Sequence, residues 1–171
     1  MDRIEGDIIS SDLLRVTGRK RIAVYAGSFD PFTVGHAHIV ARAMALFDEV
    51  HIVIAVNYQK KPFRPLEERT EQIRALYADD PQVRVVCHEG IVAKYARSLG
   101  EQVVLLRGIR TVTDMEAERV TADVNRHHFG VDTLFLFADA EYSSISSTMV
   151  RELAAFGEDY SAYVPQKEQL H

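Results

Sequence analysis

Hydrophobic and polar positions follow two patterns that alternate along this chain. Short runs rich in β-branched residues predict strands, and segments in which apolar residues recur three and four positions apart predict helices. The predicted strands are residues 21–25, 50–56, 83–86, 103–106 and 133–137. The predicted helices are residues 35–47, 66–77, 91–99, 111–127 and 148–156.

Alternation of apolar strands with helices predicts an α/β domain, a doubly wound parallel sheet with helices on both faces. Such sheets bind ligands beyond the carboxyl ends of their strands, at the point where the strand order reverses. We therefore expect the chemistry in the loops that follow the strands, at residues 26–35, 57–65, 107–111 and 138–147. We also expect an N-terminal extension over residues 1–19 and a single domain over residues 20–171.

The first of these loops reads GSFDPFTVGH, residues 27–36, and leads into a helix whose first turn carries no Asp or Glu. Acidic residues usually occupy that turn because the N-terminal end of the helix dipole is positive. Helical spacing puts His36 on the apolar face with Ile39 and Val40, so it should point towards the carboxyl end of the sheet. It is either a ligand for phosphates or a buried histidine whose nitrogens bond to backbone groups.

Two other loops are basic. Residues 57–65 read NYQKKPFRP, for which a solvated loop is the plain alternative to an anion site. Residues 105–110 read LLRGIR, and the planar guanidinium of arginine matches the oxygens of a phosphate. The basic residues in these loops are Lys60, Lys61, Arg64, Arg107 and Arg110.

The last loop reads YSSISSTMVRE, residues 142–152, and carries more hydroxyl groups than one helix N-cap needs. Arg151 falls in the first turn of the helix, where a cation is unfavourable unless an anion lies between it and the helix start. The alternative is an ordinary N-cap with an exposed arginine. Two helix N-termini and several cations at one sheet edge suit a polyphosphate.

Composition narrows the choice of partners. The 171 residues carry a net charge of −5, which argues against a nucleic-acid partner. No stretch reaches the ~18 apolar residues of a membrane span, so we expect no membrane partner. Cys87 is the only cysteine, which excludes an intrachain disulfide and favours a reducing, cytoplasmic location. Because Cys87 follows two valines, we expect it in the core.

The motifs resemble a known family. TVGH at residues 33–36 and ISSTMVR at 145–151 look like the paired signatures of the nucleotidyltransferase superfamily. GSFDP, KKP at 60–62, RGIR at 107–110 and NR at 125–126 narrow the resemblance, over residues 21–165, to the bacterial phosphopantetheine adenylyltransferases.

That resemblance implies a Rossmann-like, five-stranded parallel sheet and adenylyl transfer from ATP to 4′-phosphopantetheine, which gives dephospho-coenzyme A and pyrophosphate in coenzyme A biosynthesis. It implies Mg²⁺ held through the ATP phosphates rather than by protein side chains. It also implies a homohexamer and coenzyme A as a feedback ligand.

Site residues follow from the resemblance by motif position. The implied catalytic residues are His36, Lys60 and Arg107. The implied ATP-binding residues are Gly27, Ser28, Phe29, His36, Gly108, Arg110, Glu118, Ser146, Ser147 and Thr148. The implied phosphopantetheine-binding residues are Ser28, Lys60, Val92 and Arg107. Lys94, Met115 and Ala117 depart from the family pattern, which bears on the pantetheine arm, the feedback and the hexamer contact.

Three other functions remain open from the sequence. Another nucleotidyltransferase, such as one that acts on nicotinate mononucleotide, would share the general motifs, although KKP and RGIR favour phosphopantetheine. A non-catalytic nucleotide sensor should have lost His36 or Lys60, and both are present. A flavodoxin-like binding module does not explain His36 and Arg151 together.

Overall fold

The computed structural model describes residues 20–56, 61–100 and 102–169, so the predicted extension over residues 1–19 lies outside it. The strands are β1 Ile22–Gly27, β2 Glu49–Ala55, β3 Val83–His88, β4 Val103–Ile109 and β5 Thr133–Phe137. The α-helices are α1 Val34–Leu46, α2 Leu66–Leu76, α3 Val92–Ser98, α4 Val112–Phe129 and α5 Ser147–Ala155. Short 3₁₀ turns follow at Ala140–Tyr142, Ser161–Tyr163 and Lys167–Gln169.

The sheet has the order β3-β2-β1-β4-β5, and all neighbouring strands are parallel. The chain moves outwards from β1 to β3, and β4 then returns to the other side of β1. The order therefore reverses between β1 and β4, and the crevice beyond their carboxyl ends is where a ligand binds in such a sheet. The predicted doubly wound α/β fold is confirmed.

Both faces of the sheet are covered because consecutive strand residues point to opposite sides. On one face, Ile52 and Ile54 of β2 pack with the α1 residue Val40 and the α2 residue Ile73, and all four are fully buried. On the other face, Val53 of the same strand packs in a second cluster that includes Ala93 and Ala96 of α3. Burial on both sides explains why the strands read as continuous apolar runs.

The largest boundary difference concerns β4. The apolar run predicts an end at residue 106, but the pairing with β5 continues to Ile109, which lies opposite Phe137. Arg107 and Gly108 therefore belong to the strand rather than to the loop after it. A Cβ at residue 108 would lie 2.9 Å from Cγ1 of Ile39, so glycine lets β4 pass close to α1.

Cys87 is exposed, so the expectation that it lies in the core is wrong. It belongs to β3, which is an edge strand of the sheet. Its Sγ lies 3.0 Å from the Thr70 hydroxyl on α2. An apolar run on an edge strand does not guarantee burial, because only one neighbouring strand covers it.

Helix α4 is the longest α-helix in the described residues, and none of its side chains is buried. Val120 and Val124 are 68% and 52% exposed. Neither α4 nor any other helix of the described residues is long and apolar enough to cross a membrane.

Candidate active site

A cavity of about 370 Å³ opens at the carboxyl ends of β1 and β4, between α1 and the start of α5. Every described residue that the resemblance implies for ATP binding lines it. They are Gly27, Ser28 and Phe29 after β1, His36 on α1, Gly108 and Arg110 at the end of β4, Glu118 on α4, and Ser146, Ser147 and Thr148 at α5. The structure therefore brings these predicted residues together at one place.

A second cavity, of about 450 Å³, lies beside the first. Val92 of α3 lines it, as do Ser28 and Arg107, which also line the first cavity. The two cavities thus meet at the end of β1, where groups held in each can approach one another. Lys60, the remaining predicted residue of this site, lies outside the described residues.

His36 is held by the cap of its own helix. The Thr33 hydroxyl accepts a hydrogen bond from the His36 backbone N–H at 3.4 Å, and the Thr33 backbone N–H donates to Nδ1 of the ring at 2.9 Å. A backbone N–H can only donate, so Nδ1 is unprotonated and the neutral ring carries its proton on Nε2. No hydrogen bond within the described ranges engages Nε2, which leaves this N–H available to a ligand.

The surroundings of His36 keep the ring neutral. Burial, reinforced by the charges of Arg110 and Arg107, lowers its pKa from 6.5 to about 4. The rings of Phe29 and Phe32 lie with centroids 5.1 Å and 5.4 Å from that of His36. One nitrogen bonds to the backbone, as one interpretation of His36 expects, and the other is a neutral donor at the cavity, where its contact with a phosphate stays a prediction.

Arg107 reaches across the end of the sheet to α4. Its Nε donates to Oε2 of Glu118 at 2.8 Å, and Nη2 donates to the other carboxylate oxygen. Nη1 donates to the Ala26 carbonyl at 2.8 Å. Both side chains line both cavities, so a bidentate ion pair stands between the two binding spaces.

Arg110 is exposed at the mouth of the first cavity and pairs with Asp114 in the first turn of α4. Its Nε lies 3.2 Å from Oδ2 of that carboxylate. Asp114 also accepts the backbone N–H of Arg110 at 3.2 Å. The pair is exposed and therefore weak, so an incoming polyanion can compete for the guanidinium.

The start of α5 is fixed to the loop after β1. Ser146 is the N-cap and accepts the Met149 backbone N–H at 3.0 Å, while the Ser147 hydroxyl donates to the Pro31 carbonyl at 2.8 Å. Arg151 donates to the Asp30 carbonyl at 2.6 Å. Arg151 is thus a half-buried link between two segments and not the exposed arginine of one interpretation. It also lines the first cavity, where a contact with an anion stays a prediction.

Sequence reasoning missed two charged residues beneath the site, Asp30 and Arg69, and both are buried. Asp30 accepts the backbone N–H groups of Phe63 and Arg64 at 2.7 and 2.9 Å, which anchors the end of the β2–α2 connection. Arg69 lies on α2 four residues before Ile73, on the buried face of that helix. The signal that could have identified Arg69 is a charged residue at a position where the helical spacing predicts an apolar one.

The three departures from the family pattern lie away from the cavities. Lys94 and Ala117 are exposed and Met115 is half-buried. None of the three lines either cavity as the described residues form them.

The fold and this double cavity define a nucleotide-binding α/β domain of the nucleotidyltransferase class. In agreement, residues 24–153 match the family described as cytidylyltransferase-like. A solved structure of a bifunctional NMN adenylyltransferase/ADP ribose pyrophosphatase from Francisella tularensis is similar, with a TM-score of 0.66, 15% identity, and coverage of 87% of this chain and 46% of that one. At that identity the likeness concerns the fold alone.

Curated relatives are more specific. One from Porphyromonas gingivalis, named phosphopantetheine adenylyltransferase, is 49% identical over 148 residues, which are 86% of this chain and 96% of the relative. One of the same name from Phocaeicola vulgatus is 46% identical over 146 residues, which are 85% of this chain and 96% of the relative. The chain belongs to the phosphopantetheine adenylyltransferase family.

Proposed function

We propose that this protein transfers the adenylyl group of ATP to 4′-phosphopantetheine and so forms dephospho-coenzyme A and pyrophosphate. The observation that carries the proposal is the meeting of two cavities at Ser28 and Arg107, one of them lined by two helix starts and the other by α3. The names of the relatives supply the acceptor, phosphopantetheine, and the group transferred, adenylyl.

The reaction is an in-line displacement at phosphorus. An oxygen of the phosphopantetheine phosphate attacks the α-phosphorus of ATP, a new P–O bond forms, and the bond to the bridging oxygen breaks as pyrophosphate leaves. The second pKa of a phosphate monoester is about 6, so the nucleophile is already largely dianionic at neutral pH. No general base is required, and the protein has to offset the repulsion between two polyanions.

His36 and the helix starts supply that electrostatic stabilisation in our proposal. The Nε2–H of His36 donates to a phosphate oxygen without adding a full charge, because the low pKa keeps the ring neutral. The N-termini of α1 and α5 line the same cavity and favour negative charge. Arg110 adds a positive charge at the mouth of the cavity.

Arg107 contacts the phosphopantetheine phosphate and stabilises the negative charge that develops during transfer. The guanidinium is paired with Glu118, so binding of the phosphate requires an exchange of partners or the use of N–H groups that remain. Lys60 belongs to the same phosphate site in the proposal. The contact between Asp30 and residues 63–64 supports this, since it fixes the chain three residues beyond that lysine.

Magnesium enters the proposal as part of the substrate, MgATP. Among the residues that the structure describes, no group of three or more His, Cys, Asp and Glu side chains could hold a metal ion. In the proposal the ATP phosphates, rather than protein side chains, hold the ion, which would shield negative charge on the leaving pyrophosphate.

A homohexamer is part of the proposal because α4 and β5 expose an apolar surface. The exposed apolar residues on the face of the sheet that α4 covers are Val112, Val120, Val124 and Phe137. A second copy of the chain would cover them. Light scattering after size-exclusion chromatography tests this: Val120→Glu should yield smaller particles, whereas Thr113→Glu, an exposed polar control on the same helix, should leave the assembly intact.

Coenzyme A contains the phosphopantetheine arm, so we extend the proposal to feedback binding in the second cavity. Competition between coenzyme A and 4′-phosphopantetheine would test it. A cytoplasmic location also belongs to the proposal, and the single cysteine with no intrachain partner supports it.

Pyrophosphate release with alternative acceptors tests the reaction itself. We expect turnover with MgATP and 4′-phosphopantetheine and none above background with nicotinate mononucleotide. Comparable turnover with nicotinate mononucleotide would contradict the proposed acceptor. Tight ATP binding without turnover on any acceptor would instead favour a nucleotide sensor.

A further inference from the structure

Arg69 is a buried cation that the reaction as described does not use. It lies on α2 with only 7% of its surface exposed, on the helix face that also carries the fully buried Ile73. Burial of a guanidinium is costly unless its N–H groups are paired. The groups that Arg69 contacts therefore indicate what it does beneath this site.

Those partners belong to the loop after β1. The Arg69 Nη1 donates to the carbonyl of Ser28, and its Nε lies 4.0 Å from Oδ1 of Asp30. That Nε forms no hydrogen bond within the described part of the chain. The two carboxylate oxygens of Asp30 already accept hydrogen bonds from the backbone N–H groups of residues 63 and 64. The guanidinium thus acts chiefly on one peptide group, the one between Ser28 and Phe29.

The hydrogen bond from Arg69 to the Ser28 carbonyl fixes the direction of the following backbone N–H, which belongs to Phe29. In a trans peptide the C=O and the following N–H point in opposite directions. Arg69 comes from α2, on the side of β2 and β3, whereas the first cavity lies on the side of β4. The carbonyl that turns towards Arg69 therefore turns the Phe29 N–H towards the cavity.

The backbone of Phe29 agrees with this interpretation. Its φ is +47°, a left-handed conformation that is unfavourable for a non-glycine residue. Phe29 lines the first cavity, and no hydrogen bond to its N–H is found within the described ranges. A strained residue whose N–H is unpaired at a cavity needs an external group to hold it, and Arg69 provides one.

We propose that Arg69 is a positioning residue, which holds the Ser28–Phe29 peptide so that the Phe29 N–H donates to the phosphoryl group in transfer. The inference rests on the proposed function, because it assigns the N–H to that reaction. The Phe29 N–H would then join the Nε2–H of His36 as a fixed donor at the first cavity.

Steady-state kinetics of Arg69→Met and Arg69→Lys test the proposal. We expect kcat to fall about tenfold or more in Arg69→Met and less in Arg69→Lys, with the KM of both substrates within about threefold of wild type. Ile73→Ala is the matched control, since it also removes a buried side chain from the same helix face. It should lower Tm comparably and leave kcat within about twofold.

An NMR measurement makes the outcome independent of the acceptor. Selective ¹⁵N labelling of the eight phenylalanines reports on the Phe29 amide, and ATP without an acceptor serves as the probe because it carries the phosphoryl group to be transferred. We expect ATP to shift this amide in wild type and Ile73→Ala but not in Arg69→Met. An equal shift in Arg69→Met, or kcat lost equally in Ile73→Ala, would overturn the role of Arg69. Absence of adenylyl transfer in wild type would instead refute the proposed function and leave the NMR result to decide about Arg69.

Discussion

Arg107 on β4 and Glu118 on α4 form a two-point ion pair at the junction of the two cavities. The side chains are 37% and 23% exposed, so solvent screens the pair and limits its contribution to stability. The carboxylate occupies the fork of the guanidinium that would otherwise face a substrate phosphate. In the proposed reaction, Glu118 would therefore compete with the substrate phosphate for Arg107.

Glu118→Gln should weaken that competition, because the amide keeps the size of the side chain and loses its charge. We expect 4′-phosphopantetheine to bind about two- to fivefold more tightly, the range expected for a screened ion pair. Titration calorimetry measures this directly. Glu116→Gln is the control, since it makes the same change of charge at an exposed position of α4. Equal tightening in both variants would mean that only the overall charge matters.

Arg107→Lys should impair catalysis although it conserves the charge. An ammonium group cannot reproduce the three separate N–H contacts that Arg107 makes to Glu118 and Ala26. We expect kcat/KM to fall by roughly 10²-fold, measured by pyrophosphate release with both substrates. Arg119→Lys, at an exposed position of the same sheet side, should remain active. An unchanged kcat/KM in Arg107→Lys would remove Arg107 from the reaction.

His36→Ala should lower kcat by roughly 10²–10³-fold, the size of effect seen when one preorganised donor to a developing charge is lost. The Thr33 cap sets the ring orientation, so the missing donor is a fixed one. His128→Ala removes an exposed histidine and serves as the control. Near-normal turnover of the His36 variant would show that the ring is structural.

The lowered pKa of His36 predicts a pH dependence of stability. Between about pH 6.5 and 4, His36 is protonated in the unfolded chain but stays neutral in the folded protein. The free energy of unfolding therefore decreases as the pH falls through this range. The stability is complete above this window. Denaturant unfolding at several pH values should show a contribution of about 1 kcal/mol per pH unit that His36→Gln lacks. The same pH slope in both proteins would contradict the low pKa.

Glu49 titrates in a lower window, which separates it from His36. Burial alone would raise its pKa, but the hydrogen bonds from His51, Lys20 and Arg84 outweigh burial and lower the pKa to about 2. Its stabilising effect is therefore complete above about pH 4.5 and is lost as the pH falls towards 2. An acid-unfolding curve of Glu49→Gln should depend less steeply on pH than that of wild type in this range, and equally steeply above it.

The sheet and the helix starts were predictable because each depends on local pattern. Apolar strands between amphipathic helices specify a doubly wound sheet, and the absence of acids from the first turn of α1 marked the start of this helix as unusual. The strand order itself, in which β4 returns beside β1 and creates the switch point, comes from the structure.

The contacts within the site were not predictable from local pattern. Arg107 meets Glu118 only because pairing with β5 extends β4 by three residues and α4 folds back over it. Asp30 meets the backbone at residues 63 and 64 through the adjacency of β1 and β2. Such pairs form between separate elements, and no periodicity in either element reports them.

A substitution at Gly108 tests how closely β4 packs against α1. A Cβ there would lie 2.9 Å from Cγ1 and 3.3 Å from Cδ1 of Ile39, a residue buried in α1. Gly108→Ala should therefore destabilise the protein by about 1–3 kcal/mol through overpacking.

The strain should disappear when the opposing side chain is shortened. Ile39→Ala alone should cost about 2–5 kcal/mol because it opens a cavity. Adding Gly108→Ala to it should cost almost nothing, since the new methyl group occupies the space that Cγ1 has left. Denaturant unfolding of the four proteins in this double-mutant cycle measures the coupling. Equal costs of Gly108→Ala in both backgrounds would mean that the close approach of β4 to α1 does not restrict this position.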